Sequence, residues 1–113
     1  MHEMALAESV VRIVEDHASK AGAARVTLVR LEIGALSHVE PHALSFSFDA
    51  VSKGSLAEGA TLEIERTPGQ AWCHDCMKPI EIDRLGDACP SCGGYKVQVT
   101  GGEEMRVKDM EVA

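Results

Sequence analysis

A chain of 113 residues is about one ordinary domain, and a domain that small buries only a modest share of its unfolded surface. Hydrophobic residues make up 45% of it and aromatics only 4%, so the core falls to Val, Leu, Ile, Ala and Met. A formal net charge of -7 with no basic patch argues against nucleic acid and anionic membrane as partners; no run of about 18 apolar residues occurs, and acidic Glu3 stands where a signal peptide carries cations, so a cytoplasmic protein is expected.

Over residues 3–21, Leu6, Val10, Ile13, Val14 and Ala18 recur at helical spacing, with Glu8, Arg12, Glu15, Ser19 and Lys20 opposite them. Lys20 and then Gly22 end this first helix. Residues 25–33 alternate, with Thr27, Val29, Leu31 and Ile33 on a strongly buried strand face and Val26, Leu28, Arg30 and Glu32 on the other. Pro41 suits a first helical position, and Leu44, Phe48 and Val51 follow at i, i+4 and i+7 until Lys53 and Gly54 close a second helix. Residues 61–67 set Leu62 and Ile64 against Glu63 and Glu65, a half-exposed strand. At the C-terminus Met105 and Val107 share one parity and Met110 and Val112 the other, which predicts a strand with a bulge near Lys108 and Asp109. A lone terminal strand needs a sheet to join. The expected fold is therefore α+β, two helices packed on a small mixed three-stranded sheet, with an inserted zinc-ribbon domain. The boundaries predicted are 1–68 plus 101–113 for the discontinuous α/β domain and 69–100 for the ribbon.

All four cysteines fall between positions 73 and 92, as two C-x2-C pairs. In a reducing compartment clustered pairs favour metal ligands over disulfides. Each pair folds as a knuckle, and the hairpin between them brings Cys73, Cys76, Cys89 and Cys92 together as a tetrahedron. Gly93 can take φ > 0 just past the second pair. Four thiolates leave no open position, so the ion, Zn(II), is structural and folds a segment rich in Gly, Pro and Asp with few core residues of its own. A redox dithiol or an iron site are the alternatives for this spacing. The segment is not basic, and of its two aromatics Trp72 is expected to pack over the zinc site.

Bulky His2 should leave Met1 in place with a free α-amine. That amine, the His2 amide nitrogen and the His2 imidazole can chelate one metal in fused rings, a planar nitrogen set suited to Ni(II) or Cu(II), with Glu3 or another histidine as a further donor. Taken alone, a histidine at position 2 usually has no function. A chain that opens Met-His-Glu-Met-Ala-Leu-Ala and closes on Met-Arg-Val-Lys-Asp-Met-Glu-Val after a C-x2-C ribbon resembles the HypA/HybF family. Leu-Glu-Ile-Gly at 31–34, Val-Glu-Pro-His-Ala-Leu at 39–44 and Cys-Pro-Ser-Cys-Gly at 89–93 carry the resemblance along the whole chain. It implies a nickel metallochaperone for [NiFe]-hydrogenase maturation that holds Ni(II) as transient cargo. It implies His2 as principal nickel ligand with Glu3 beside it, and zinc on Cys73, Cys76, Cys89 and Cys92. The implied partners are the GTPase HypB and a hydrogenase large-subunit precursor; urease maturation proteins are a further candidate, and a monomer or weak homodimer is expected.

Some family members carry a histidine directly after each Cys pair, where this chain has Met77 and Gly93. Exchange of zinc ligands between Cys and His is therefore not implied. His74, inside the first knuckle, is a candidate to reach nickel from the neighbouring domain. His17 reads as a packed or capping residue, His38 and His42 as solvent-exposed, and Glu40 as an N-cap. No catalytic set appears, so an enzyme is not expected. The competing reading is a zinc-ribbon adaptor that binds only protein, without a nickel role.

Overall fold

The computed structural model describes residues 3–113, so the expectations for Met1 and His2 lie outside the described residues. Helix α1 (Glu3–Lys20) buries Ala7, Val10, Val11, Val14 and Ala18. The stripe is turned from the one expected: Ile13 is 45% exposed and Leu6 half-buried, while Ala7 and Val11 are covered beside Val10, Val14 and Ala18, which the spacing placed inside. The two helices pack on each other. The end of α1 is a Schellman turn: Ala23 N–H donates to Ala18 O at 2.9 Å and Gly22 N–H to Ser19 O at 3.1 Å, with Gly22 at φ 70.

Strand β1 (Val26–Gly34) buries Val29, Leu31 and Ile33 as the alternation requires. Val26 rather than Thr27 is buried at its start. Thr27 instead turns its hydroxyl to the Glu111 carbonyl, 3.2 Å away. Helix α2 (Pro41–Ser52) begins on Glu40, whose Oε2 accepts the Ala43 N–H at 2.6 Å, and Pro41 follows at a position that needs no donor. It buries Leu44, Ser47, Phe48 and Ser52. Strand β2 (Thr61–Thr67) half-buries Leu62 and Ile64 against exposed Glu63 and Glu65.

Later in the chain come β3 (Gly69–Cys73), β4 (Lys78–Ile82), β5 (Val97–Gly101) and β6 (Met105–Val112). One sheet has the order β2-β1-β6. Thr27 bonds Glu111 and Gly34 N–H bonds Glu104 O, so β1 and β6 run antiparallel. Arg30 meets Glu63 and Ala35 N–H bonds Thr67 O, so β1 and β2 run parallel, as a connection through α2 allows. The sheet is mixed, as expected. The strand β6 changes parity where the sequence does. Neighbouring Lys108 and Asp109 both reach the polar face, Lys108 to Glu65 at 3.0 Å and Asp109 to Arg30 at 3.0 Å.

The other sheet has the order β4-β3-β5, antiparallel throughout, with Trp72 opposite Pro79 and Gln98. Sequence suggested little core here, but there is one: Leu36, Ala71, Ile80, Ile82, Cys73 and Cys89, joined by Val97 and Val99. The chain divides into two compact units, the first holding residues through Leu31, Val39–Glu65 and Val107–Ala113, the second Glu32–His38 and Arg66–Arg106. The sequence placed residues 32–38 with the helices. Leu36 accounts for their grouping with the ribbon, because it lies in the ribbon core and its N–H donates to Gly102 O at 2.9 Å.

Candidate metal centre

The two C-x2-C pairs fold alike. In the first, Met77 N–H donates to Cys73 O at 2.8 Å; in the second, Gly93 N–H donates to Cys89 O at 2.8 Å. Each turn closes through the residue after the pair in the left-handed region, Met77 at φ 55 and Gly93 at φ 74. Amides point at the sulfurs, Cys76 N–H at Cys73 Sγ (3.3 Å) and Ser91 N–H at Cys89 Sγ (3.4 Å). The first pair follows β3, and the second is tied by Cys89 N–H to Gly94 O at 2.8 Å.

The four sulfurs lie within 4.8 Å of one another. Cys73 Sγ is 3.7 Å from Cys92 Sγ, and Cys76 Sγ is 3.8 Å from Cys89 Sγ. A tetrahedron with metal–sulfur bonds of about 2.3 Å has edges of about 3.8 Å. These donors therefore fit a four-coordinate ion of zinc dimensions, and all four predicted ligands are brought together. No disulfide joins them.

Crowding sets the thiol chemistry. The Cys89 thiol is drawn down to about 6, first by the Cys92 backbone N–H and then by that of Ser91, which favour its thiolate. The Cys76 thiol is pushed up to about 12, first by its hydrogen bond with the Cys92 sulfur, then by desolvation. A bound cation must therefore displace protons from this group, and with every sulfur committed it has no vacant position for a substrate.

Trp72 and His17 are placed differently from the expectation, whereas His38 and His42 are exposed as expected. Trp72 stands between Ala71 and Cys73, whose buried side chains face the opposite side of the strand, so its indole lies away from the sulfurs. His74 is exposed and its Nε2 lies 3.1 Å from Gln98 Oε1. His17, His38 and His42 are exposed. Glu3, proposed beside His2, is buried at 6% exposure, and its Oε2 accepts the Glu40 N–H at 3.2 Å. The first helix thus begins with a carboxylate tied to the cap of the second. Sequence gave Glu40 as a cap but no sign of this link, since the two residues are far apart in the chain.

Two helices on a mixed sheet, with a second sheet carrying a closed four-cysteine cluster, define a small metal-binding protein of two units. The family model described as "Hydrogenase/urease nickel incorporation, metallochaperone, hypA" matches residues 1–112. Hydrogenase maturation factor HypA 2 of Bradyrhizobium diazoefficiens is 59% identical over 112 residues, covering 99% of each chain. Hydrogenase maturation factor HypA of Dechloromonas aromatica is 54% identical over the same length, again 99% of each. The solution structure of the Ni metallochaperone HypA from Helicobacter pylori is 28% identical with a TM-score of 0.70, over 99% of this chain and 97% of that one. The chain belongs to the HypA family of nickel metallochaperones for hydrogenase and urease maturation. Among the described residues no helix is long and apolar enough to cross a membrane.

Proposed function

We propose that this protein binds Ni(II) at its N-terminus as transient cargo and delivers it to the large-subunit precursor of a [NiFe]-hydrogenase in the cytoplasm. The observation that carries the proposal is the whole-chain match to nickel metallochaperones, which begins at Met1. The Met1 amine, the His2 amide and imidazole, and Glu3 are the donors assigned to nickel, a planar set of few ligands that a partner can strip. The bond from Glu40 N–H to Glu3 ties the start of α1, the helix that follows the assigned donors in the chain, to the cap of α2. HypB and urease maturation proteins are the further partners.

The ribbon is assigned a structural Zn(II) on Cys73, Cys76, Cys89 and Cys92, consistent with their spacing. Its task is to hold a folded surface, and no catalysis is assigned to either metal. Nickel titration of the untagged protein tests the reading: one Ni(II) per chain should bind apart from the zinc. Nickel that bound only after zinc was removed would place it on the thiols and sink the N-terminal assignment.

A further inference from the structure

The four sulfurs of the ribbon are unequally covered. Cys73 and Cys89 are buried at 0% and 2% exposure, Cys76 packs against the ribbon core with Val97 and Val99, and Cys92 is exposed. The chain explains the difference. Cys92 is followed by Gly93 and Gly94, so neither neighbour lays a side chain over its sulfur. A Cβ on Gly93 would meet nothing within 4 Å, whereas one on Gly94 would lie 3.4 Å from Cys92 Sγ. The sulfur is open where that side chain is missing.

Each accessible sulfur also has a buried one close by in the opposite knuckle. Cys92 Sγ lies 3.7 Å from Cys73 Sγ, and Cys76 Sγ lies 3.8 Å from Cys89 Sγ. A disulfide bond is about 2.05 Å long, so either pair closes by a movement of less than about 2 Å. Oxidation of cysteine begins at an accessible thiolate and becomes reversible when a second thiol stands beside it to form a disulfide. Cys92 and Cys73 meet both conditions, the first by exposure and the second by proximity.

We propose that Cys92 is a site of oxidation by hydrogen peroxide, with Cys73 as its resolving partner, so that peroxide releases the ion of the ribbon. The inference rests on the zinc assignment and is independent of the nickel one. The Cys92 thiolate attacks one peroxide oxygen and gives it two electrons; the O–O bond breaks, hydroxide leaves, and the sulfur becomes a sulfenic acid. The Cys73 thiolate then attacks that sulfur, the S–S bond forms, and a second hydroxide leaves. Two thiolates and one peroxide thus give one disulfide and two hydroxides. Cys76 and Cys89 remain, two donors where a closed structural site needs four.

The test treats the untagged wild-type protein with hydrogen peroxide, follows zinc release against an untreated control, and maps the cysteines by mass spectrometry. Zinc content before treatment checks the assignment beneath the proposal: protein isolated without zinc overturns both, whereas the mapping concerns the oxidation alone. With dimedone present to trap a sulfenic acid, the adduct should sit on Cys92. Without it, zinc should be released and Cys73 joined to Cys92. Trypsin cuts after Arg66, Arg84 and Lys96 but not between Lys78 and Pro79, so each C-x2-C pair lies in its own peptide, 67–84 or 85–96. A bond from Cys73 to Cys92 links the two peptides; a bond inside either knuckle leaves them separate. Gly94→Leu supplies the missing cover, since the Asp75 carboxylate, 2.8 Å from that Cβ, is the end of a flexible side chain and can turn aside. Zinc release from this variant should be about fivefold slower than from the wild type. Dithiothreitol with fresh zinc should restore the wild-type ribbon. Zinc retained through the treatment, an adduct on another cysteine, peptides that stay separate, or an unchanged rate in zinc-replete Gly94→Leu would overturn the proposal.

Discussion

Gly34 and Gly102 approach so closely that a Cβ on Gly34 would lie 1.9 Å from the Gly102 carbonyl oxygen, which is backbone and cannot swing aside. Gly34→Ala should therefore cost about 3 kcal/mol, the upper range for overpacking, measured by chemical unfolding. Gly93 offers a contrast. A Cβ there meets nothing within 4 Å, so only its φ of 74 matters, and Gly93→Ala should cost about 1 kcal/mol. If the two substitutions cost the same, the close approach is wrong. Glu3→Ala should also lower stability, by about 1 kcal/mol, because it strips the carboxylate acceptor from the Glu40 backbone N–H in a part-buried bond. The same variant is expected to weaken nickel binding, so its stability must be measured beside its affinity.

Helices were the most legible elements. Pro41 and Gly54 bounded α2 correctly, and Gly22 marked the end of α1, because caps are local chemistry written in a few adjacent residues. The grouping of the four cysteines was legible for the same reason. Rotation of α1 was not, since Ile13 and Val11 are both apolar and only the neighbour decides which is covered. Leu36 was missed altogether: a loop leucine carries no periodic signal that it fills the core of a sheet formed later in the chain. It yields a prediction. Chelating the zinc should unfold the cysteine segment, and hydrogen exchange should show residues 34–37 losing protection with it, while helical circular dichroism changes little. Retained protection at Leu36 would contradict its place in that core.

At the scale of the molecule, two units divide the chemistry. For the Zn(II) proposed for the ribbon, proton competition sets how firmly it is held. Each sulfur must be deprotonated to bind, so zinc affinity falls as pH falls. Cys76, near 12 without metal, exchanges its proton across the whole neutral range, whereas Cys89 starts as thiolate above about 6 and adds a further proton below it. Chelator competition should accordingly show a steeper loss of affinity below about pH 6; a constant slope through that point would contradict the proton count. The donors proposed for nickel differ in kind from these thiols, because the Met1 amine and the His2 amide and imidazole are nitrogens. The most direct measurement of the central claim is calorimetric Ni(II) titration of untagged wild type, of His2→Ala and of protein acetylated at the Met1 amine, with zinc content assayed in each. The account predicts one planar Ni(II) site in the wild type, its loss in His2→Ala with zinc unchanged, and a weakened or altered site after acetylation. Unchanged nickel affinity in His2→Ala would contradict it.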